Sequence, residues 1–330
     1  MRLIKVAAIQ PCLMGIPDEY SPVSQTFRND PSAIIENYVK KQLEITVRLL
    51  EKAGAEGCGI ASSCEDAAVL TDFSYDISEN SVFPDLVELA QPLAEAAFSA
   101  ISKKYSMYII GCCHTKHNGK IYNTALIFDR KGQIAGQYRK THLPAHERWQ
   151  CSSGDALDVF ELDFGKIGIS ICYDMMFPET VQVLALKGAE IIFHPTFGYS
   201  WYDSIGEAAL RTRANDNGVY IVTSKNYRFM RAGKSSIIDY WGQALADAGF
   251  DKNVIVTGNI DLDVKKKQPD WYFNTNMSGI ADVTDRLRRE RRPELYSSVA
   301  GHEYKERLKI PDREEKLKIL QAIRKGECHW

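Results

Sequence analysis

Apolar and polar positions alternate along this chain at two periods, near two and near 3.6, and the switches between them predict its elements. Leu3–Gln10 reads as a short buried strand. Gly, Pro, Ser and Asp punctuate residues 13–31, which read as a loop. Ile35, Val39, Leu43, Val47 and Leu50 then recur at spacings of three and four. Pro31 and Ser32 precede them and Gly54 follows, which predicts an amphipathic helix with its own start and stop signals. Gly59–Ser62 reads as a weak strand running into the polar group Ser63, Cys64, Glu65, Asp66. A second helix is expected over 86–104, with Pro92 disturbing its first turns because proline lacks an N–H. Met107–Cys113 and Tyr122–Phe128 are strands joined by a turn at Asn118-Gly119, and Asp129–Gly132 turns the chain back again.

The second half repeats this style. Strands are expected at 159–162 and 167–171 around Gly165, then a helix over 179–187 closed by Gly188, and a buried strand at 191–194. A helix over 205–217 follows, then strands at 219–223, 235–239 and 254–259, with a turn at Gly242. Helices and strands alternate, but hairpins interrupt them. The expectation is a layered α/β fold with mixed rather than purely parallel sheets, in two sheets. No low-complexity linker forces a second domain. Residues 1–263 are expected to form the body and 264–330 a C-terminal extension that packs on the body or on a partner subunit. Lys265–Lys267, the aromatic run Trp271-Tyr272-Phe273, and Arg286, Arg288, Arg289, Arg291 and Arg292 give that extension the character of a solvated face or an interface.

Composition narrows the function. Lys plus Arg number 41 against 43 Asp plus Glu, so no net basic charge favours nucleic acid, and no aromatic interleaving accompanies the arginine run. No apolar segment reaches 18 residues, so no membrane span is expected. The N-terminal apolar stretch is too short for a signal peptide and merges with the first strand. Eight cysteines in 330 residues are too sparse for a disulfide scaffold, and no CxxC pair suggests structural zinc. A reducing cytoplasm is the simplest setting.

The sharpest chemical signal is Ile169-Ser170-Ile171-Cys172-Tyr173-Asp174, a strand that ends at a cysteine before a polar turn and a helix. Backbone N–H groups of such a turn can stabilise a thiolate and hold an oxyanion. The competing reading is an inert buried cysteine. A thiol nucleophile needs a proton acceptor. His142 and His146 flank Pro144, so a regular helix does not bring them onto one face, and HExxH is absent. His194 ends a strand, where it serves as a hydrogen-bonded histidine or as a pocket residue.

Three spaced motifs carry a resemblance that spans residues 4–262. They are Tyr138-Arg139-Lys140-Thr141-His142-Leu143, Cys172-Tyr173-Asp174-Met175-Met176-Phe177-Pro178-Glu179, and Glu65 after the first helix and second strand. The chain resembles the nitrilase superfamily, whose members cleave carbon–nitrogen bonds with a Glu-Lys-Cys triad. Gly188–Ile192, His194-Pro195-Thr196, Arg213–Tyr220, Gly233–Asp239 and Arg292–Tyr296 support the match. The resemblance implies a four-layer α-β-β-α sandwich with two mixed β-sheets, commonly dimeric or assembled into larger homo-oligomers. It also implies Glu65 as base, Lys140 as cation, Cys172 as nucleophile, the Tyr173 backbone N–H as oxyanion donor, and Glu147 as a second glutamate beside the lysine. The same resemblance implies no metal or organic cofactor. Glu147 could instead be a surface ion-pair partner. The family's glutamate usually follows proline, whereas here Cys64 precedes Glu65, and Asp66 is the neighbour to test if the match is off by one.

The substrate is less legible. Tyr173 and Asp174 after the cysteine resemble the amidase and carbamoylase branches rather than nitrilases proper. A small amide or an N-carbamoyl compound is the expected substrate, with a nitrile, metal-dependent hydrolysis, or a non-catalytic scaffold of the same fold as alternatives. Trp149, Phe177, His194, Tyr199 and Trp201 are candidate pocket residues, with residues 196–204 as a specificity loop. Arg213, Arg228 and Arg231 are candidate donors to a substrate carboxylate, of which only Arg228 and Arg231 lie in a loop after a strand.

Overall fold

The computed structural model describes residues 1–13, 31–75, 81–144, 147–197, 203–227, 234–264, 288–301 and 312–324. The chain divides into two compact units, Met1–Asp263 and Val264–Trp330. In the first unit, β1 (Leu3–Gln10), β2 (Ile60–Ser62), β3 (Tyr108–His117), β4 (Lys120–Phe128), β5 (Ile134–Arg139) and β12 (Val254–Asp261) form one six-stranded sheet. Its strand order is β12-β1-β2-β3-β4-β5. The middle pairings β1–β2 and β2–β3 are parallel and the outer ones antiparallel. The second sheet holds β6 (Val159–Leu162), β7 (Gly165–Ile169), β8 (Ile191–Thr196), β9 (Tyr220–Lys225), β10 (Ser236–Ile238) and β11 (Ala244–Asp247). It too is parallel at its centre, from β7 through β9, and antiparallel at both edges.

Side-chain alternation along these strands builds three cores. Ile4, Val6 and Ala8 of β1 point into a core shared with Ile169, Phe193, Val222 and Ile237 of the second sheet. Ala7 and Ile9 point the other way, against Val39, Leu43 and Leu50 of α1 (Pro31–Ala55) and Phe83, Val87 and Phe98 of α2 (Phe83–Tyr105). On the far side, Ile192, Ile221 and Ile238 meet Val181 and Leu184 of α3 (Pro178–Leu186) and Ala214 of α4 (Asp203–Asn217). A period of two on a strand covered on both faces therefore yields the expected four-layer α-β-β-α sandwich.

Three details differ from the sequence reading. The second helix runs unbroken through Pro92, because Pro92 lies on its exposed face while Phe83, Leu86, Ala90, Ala94 and Phe98 bury the other. The carbonyl that Pro92 cannot satisfy lies toward water, and the packed face offsets the lost bond. The edge strands β5 and β11 form where the sequence reading placed no strand, because their mostly exposed residues carry no apolar alternation. The central strands β8 and β9 continue to Thr196 and Lys225, beyond the expected residues 194 and 223. The turn at Asn118-Gly119 is as read, with φ of 50° and 74°, which suits asparagine and glycine in a tight hairpin.

The second unit contains a 3-10 turn at Pro293–Leu295, α5 (Ser297–Gly301) and α6 (Arg313–Arg324). Leu295, Tyr296, Val299 and Leu317 are exposed there. Trp271–Phe273 and Lys265–Lys267 lie outside the described residues. Among the described residues, no helix is long and apolar enough to cross a membrane.

The helix–sheet layer leaves no room at Gly111 of β3, where an added Cβ would lie 2.3 Å from the ring of the fully buried Phe98. Gly111→Ala should cost about 1–3 kcal/mol. Calorimetry should show a lower Tm, and an unchanged Tm would contradict this packing.

Candidate active site

Four polar residues converge where strands end. Lys140 directly follows β5, and its backbone N–H donates to the Asn123 carbonyl of β4 at 2.8 Å, so the ladder holds it in place. Gly154 donates its N–H to the Lys140 carbonyl at 2.8 Å and approaches the Arg139 carbonyl too closely to carry a side chain. Glu65 lies just beyond β2, where the Ser63 N–H donates to the Ile110 carbonyl at 2.9 Å and extends the pairing with β3. Glu147 opens a 3-10 turn, Glu147–Trp149. Cys172 opens another, Cys172–Met176, at a φ of 43°. That left-handed conformation is costly for a residue with a Cβ and occurs where surrounding structure imposes it.

The side chains meet in a buried knot. Lys140 Nζ donates to Glu65 Oε1 at 2.7 Å and to Glu147 Oε2 at 2.6 Å. Asn123 Nδ2 reaches both carboxylates, Glu65 Oε1 at 2.9 Å and Glu147 Oε1 at 2.8 Å. The Phe197 N–H donates to Glu65 Oε2 at 2.7 Å. The Cys112 thiol, 3.6 Å from Asn123 Oδ1, fixes the orientation of that amide. Burial by itself would lower the Lys140 pKa, but Glu147 and Glu65 more than offset it and hold the ammonium charged well above its ordinary range. Burial and the Glu65 charge push the Cys172 thiol up to about 11, against a smaller opposing effect of Lys140 and the Thr196 hydroxyl. The resting cysteine is therefore a neutral thiol close enough to Glu65 for that charge to raise its pKa.

Asp174 secures the cysteine turn. Its Oδ2 accepts from the Ile171 N–H at 2.8 Å and the Tyr138 hydroxyl at 2.6 Å. Its Oδ1 accepts from the Thr141 hydroxyl and the His142 N–H, both at 2.9 Å, and also lies 2.9 Å from His142 Nδ1. One carboxylate thus ties the segment that carries Cys172 to the segment that carries Lys140. The His142 ring stacks on Phe177, with centroids 3.9 Å apart.

The structure brings together Glu65, Lys140, Glu147 and Cys172. Asp66 turns elsewhere, to His114 Nδ1 at 3.2 Å and the Thr71 N–H at 2.7 Å, so Glu65 rather than Asp66 meets the lysine. Cys64 is buried among apolar side chains, and burial holds its thiol well above the usual range. Tyr173 and Phe177 are half-buried beside each other, in an edge-to-face contact of 5.5 Å. Trp149 is half-buried on the Glu147 turn. His194 is buried, its Nδ1 lies 3.0 Å from both the hydroxyl and the carbonyl oxygen of Ser170, and burial lowers its pKa to about 4. Arg213 is half-buried on α4. His146, Tyr199, Trp201, Arg228 and Arg231 lie outside the described residues. Sequence reasoning missed Asn123, Thr196 and the full reach of Asp174. The one available signal for Asn123 was an amide between apolar residues of a buried strand.

A two-sheet sandwich with a cysteine, a lysine and two glutamates at one end defines a class. A profile described as carbon-nitrogen hydrolase matches residues 39–268, and the chain belongs to that family, within the nitrilase superfamily. It is accordingly an enzyme that hydrolyses carbon–nitrogen bonds. Omega-amidase NIT2-B of Xenopus laevis is 31% identical over 233 residues, covering 65% of this chain and 79% of that protein. The crystal structure of a carbon-nitrogen hydrolase from Helicobacter pylori G27 superposes with a TM-score of 0.70 at 24% identity, covering 91% of this chain and 99% of that one. A glutamate-to-glutamine variant of the amidase from Nesterenkonia sp. AN1, with acrylamide added to its active-site cysteine, superposes with a TM-score of 0.65 at 17% identity. That match covers 90% of this chain and 99% of that one.

The Asp174 tie has a pH signature. Burial alone would raise the Asp174 pKa, but His142, Tyr138 and backbone donors bring it below 3.8. Its stabilisation is then complete above that value and lost as pH falls through the lower folded value. Asp174→Asn should be less stable than wild type at about pH 6, with the gap closing toward about pH 3. Thermal melts across that range should show the convergence, and a constant gap would contradict it.

Proposed function

We propose that this enzyme hydrolyses a small amide through a thioester on Cys172. The observation that carries the reading is Lys140 held between Glu65 and Glu147 beside a cysteine on a strained turn. Glu65 takes the Cys172 proton as the sulfur attacks the amide carbon. The developing oxyanion is held by the Lys140 ammonium and the Tyr173 backbone N–H. Glu65 returns the proton to the departing nitrogen, and ammonia or amine leaves. Glu65 then takes a proton from water, whose oxygen attacks the thioester. The carboxylic acid departs as the thiol regains its proton. Glu147 positions Lys140 throughout. His142 and Phe177 form part of the pocket wall, with Trp149, Tyr199, Trp201 and Arg228 as further candidates.

The similarity to omega-amidases makes terminal amides of small carboxylic acids the first substrates to test. N-carbamoyl compounds are the second class and nitriles the third. The same reading includes a cytoplasmic setting, supported by seven described cysteines that are all free thiols. It includes a homo-oligomer, supported by exposed Trp241, Leu245 and Phe250 around the edge strand β11. Residues 1–263 are the hydrolase body, and 264–330 an extension whose exposed Leu295, Tyr296 and Val299 need a covering surface.

An ammonia-release screen over small amides, N-carbamoyl amino acids and nitriles should give turnover on amides that vanishes in folded Cys172→Ala. Turnover surviving in that variant would overturn the assignment. Lys140→Ala should lose about 3–4 kcal/mol of transition-state stabilisation, read in kcat. Glu65→Gln should lower turnover by on the order of a thousandfold. The same change removes a charge that raises the thiol pKa, so alkylation of Cys172 by iodoacetamide should persist or accelerate at about pH 8. Turnover at the wild-type rate in Glu65→Gln would overturn Glu65 as the base.

A further inference from the structure

Glu147 belongs to a second cluster that the thiol mechanism does not use. One donor atom each from His114, Glu147 and Cys151 lie within 4.8 Å of one another, and all three residues are buried. His114 comes from β3, whereas Cys151 closely follows the turn that carries Glu147. The imidazole is oriented from behind: its Nδ1 lies 3.2 Å from Asp66 Oδ1, and Asp66 is itself held by the Thr71 N–H at 2.7 Å. The Phe83 ring packs edge-on at 5.2 Å from the imidazole. The other ring nitrogen, Nε2, is buried without an oxygen or nitrogen partner. A carboxylate behind a histidine whose ring also interacts with a thiol is the arrangement that sets an imidazole to bind a metal.

We propose that His114, Cys151 and Glu147 bind Zn²⁺, and that zinc there switches the hydrolase off. The donor set of one imidazole, one thiolate and one carboxylate suits a borderline-soft divalent ion, with water in the fourth position. Zinc–ligand bonds of about 2.0–2.3 Å place tetrahedral donors roughly 3.3–3.8 Å apart, so the three must close by about an ångström. Burial would lower the His114 pKa, but Asp66 more than offsets it, so the imidazole as well as the Cys151 thiol releases a proton to solvent on binding, and apparent affinity rises with pH. Inhibition follows from the shared ligand. Glu147 Oε2 holds Lys140 Nζ at 2.6 Å and Oε1 holds Asn123 at 2.8 Å. A dication on that carboxylate draws it away from Lys140 and adds positive charge beside the ammonium. The inhibition rests on the roles given above to Lys140 and Glu147; the binding does not.

The test uses full-length protein freed of metal by a chelator. Cys172→Ala removes the nucleophilic thiol, and its titration with Co²⁺ should give a thiolate-to-cobalt absorption band in the near ultraviolet. The band should saturate at one equivalent and disappear when Zn²⁺ displaces cobalt. Adding Cys151→Ser should abolish the band and weaken Zn²⁺ binding at least tenfold. Absence of binding, or equal binding in the double variant, overturns the site. In the ammonia-release assay, one equivalent of Zn²⁺ should cut wild-type turnover at least tenfold, with EDTA restoring it. Cys151→Ser should turn over normally and resist zinc. Equal inhibition of Cys151→Ser would assign the effect to Cys172 and overturn the switch. Cys151-dependent binding without inhibition would also overturn the switch. Absence of turnover in metal-free wild type would instead count against the amidase reading, which the cobalt titration does not involve.

Discussion

Lys140, 2% exposed, holds its ammonium between two carboxylates, and the rest of this site depends on that contact. Removing an ion from water costs several kcal/mol, and one partner rarely offsets the loss. Here two carboxylates surround the ammonium, and the oxygens that Lys140 leaves open, Glu147 Oε1 and Glu65 Oε2, accept from Asn123 and the Phe197 N–H. The knot is thus closed by hydrogen bonds rather than by Coulomb attraction alone. It draws its members from the ends of β2, β5 and β8 and from the turn after β5, so these segments must be correctly stacked before it can form. A polar cluster with such demands is unfavourable in most alternative packings, which fits it to define one arrangement of the strands.

The two sheets explain why the cluster sits where it does. Their shared core is apolar from Ile4 to Ile237, and an unpaired charge there would be costly. Beyond the carboxyl ends of the parallel strands the ladder stops, and side chains can converge without interrupting it. Glu65 follows β2, Cys172 follows β7, and Phe197 follows β8, all in the parallel centres of their sheets. Binding sites in open α/β sheets form at such ends for the same reason. The Ser224 hydroxyl donates to the Ser62 carbonyl at 2.9 Å, a direct link between the two sheets close to the glutamate.

Acidic groups around the site divide into distinct tasks by their partners. Glu65 and Glu147 face a cation and stay close to the cysteine. Asp174 faces only donors from two chain segments and acts as a fastener, with its pKa lowered by them. Asp66, one residue from Glu65, adopts a φ of 50° and points to His114 instead. Neighbours in sequence therefore serve different clusters because the backbone reverses its handedness between them. Glu147 is the single side chain that both clusters share, which makes the charge state of either one a matter for the other.

The sequence by itself determined the periodic elements and the two-sheet class. The apolar patterning of the buried strands and the spacing of the helices in the first unit follow from local geometry that the chain carries with it, whereas the mostly exposed β5 and β11 carry no such pattern. The cysteine, lysine and glutamate motifs were legible for a similar reason: a nucleophile at a strand end, a proton acceptor and a cation are residue types the chemistry requires. Only the tertiary structure decided the rest. Whether Glu65 or Asp66 met Lys140 depended on backbone conformation across one residue. Asn123 and Thr196 are ordinary polar residues of buried strands until β2, β4, β7 and β8 are assembled around them. His194 shares its strand-end position with other site residues, and only the assembled sheets bury it against Ser170 and lower its pKa. The cluster of His114, Glu147 and Cys151 has no short spacing to betray it, because long-range strand pairing, not sequence proximity, brings His114 to the other two.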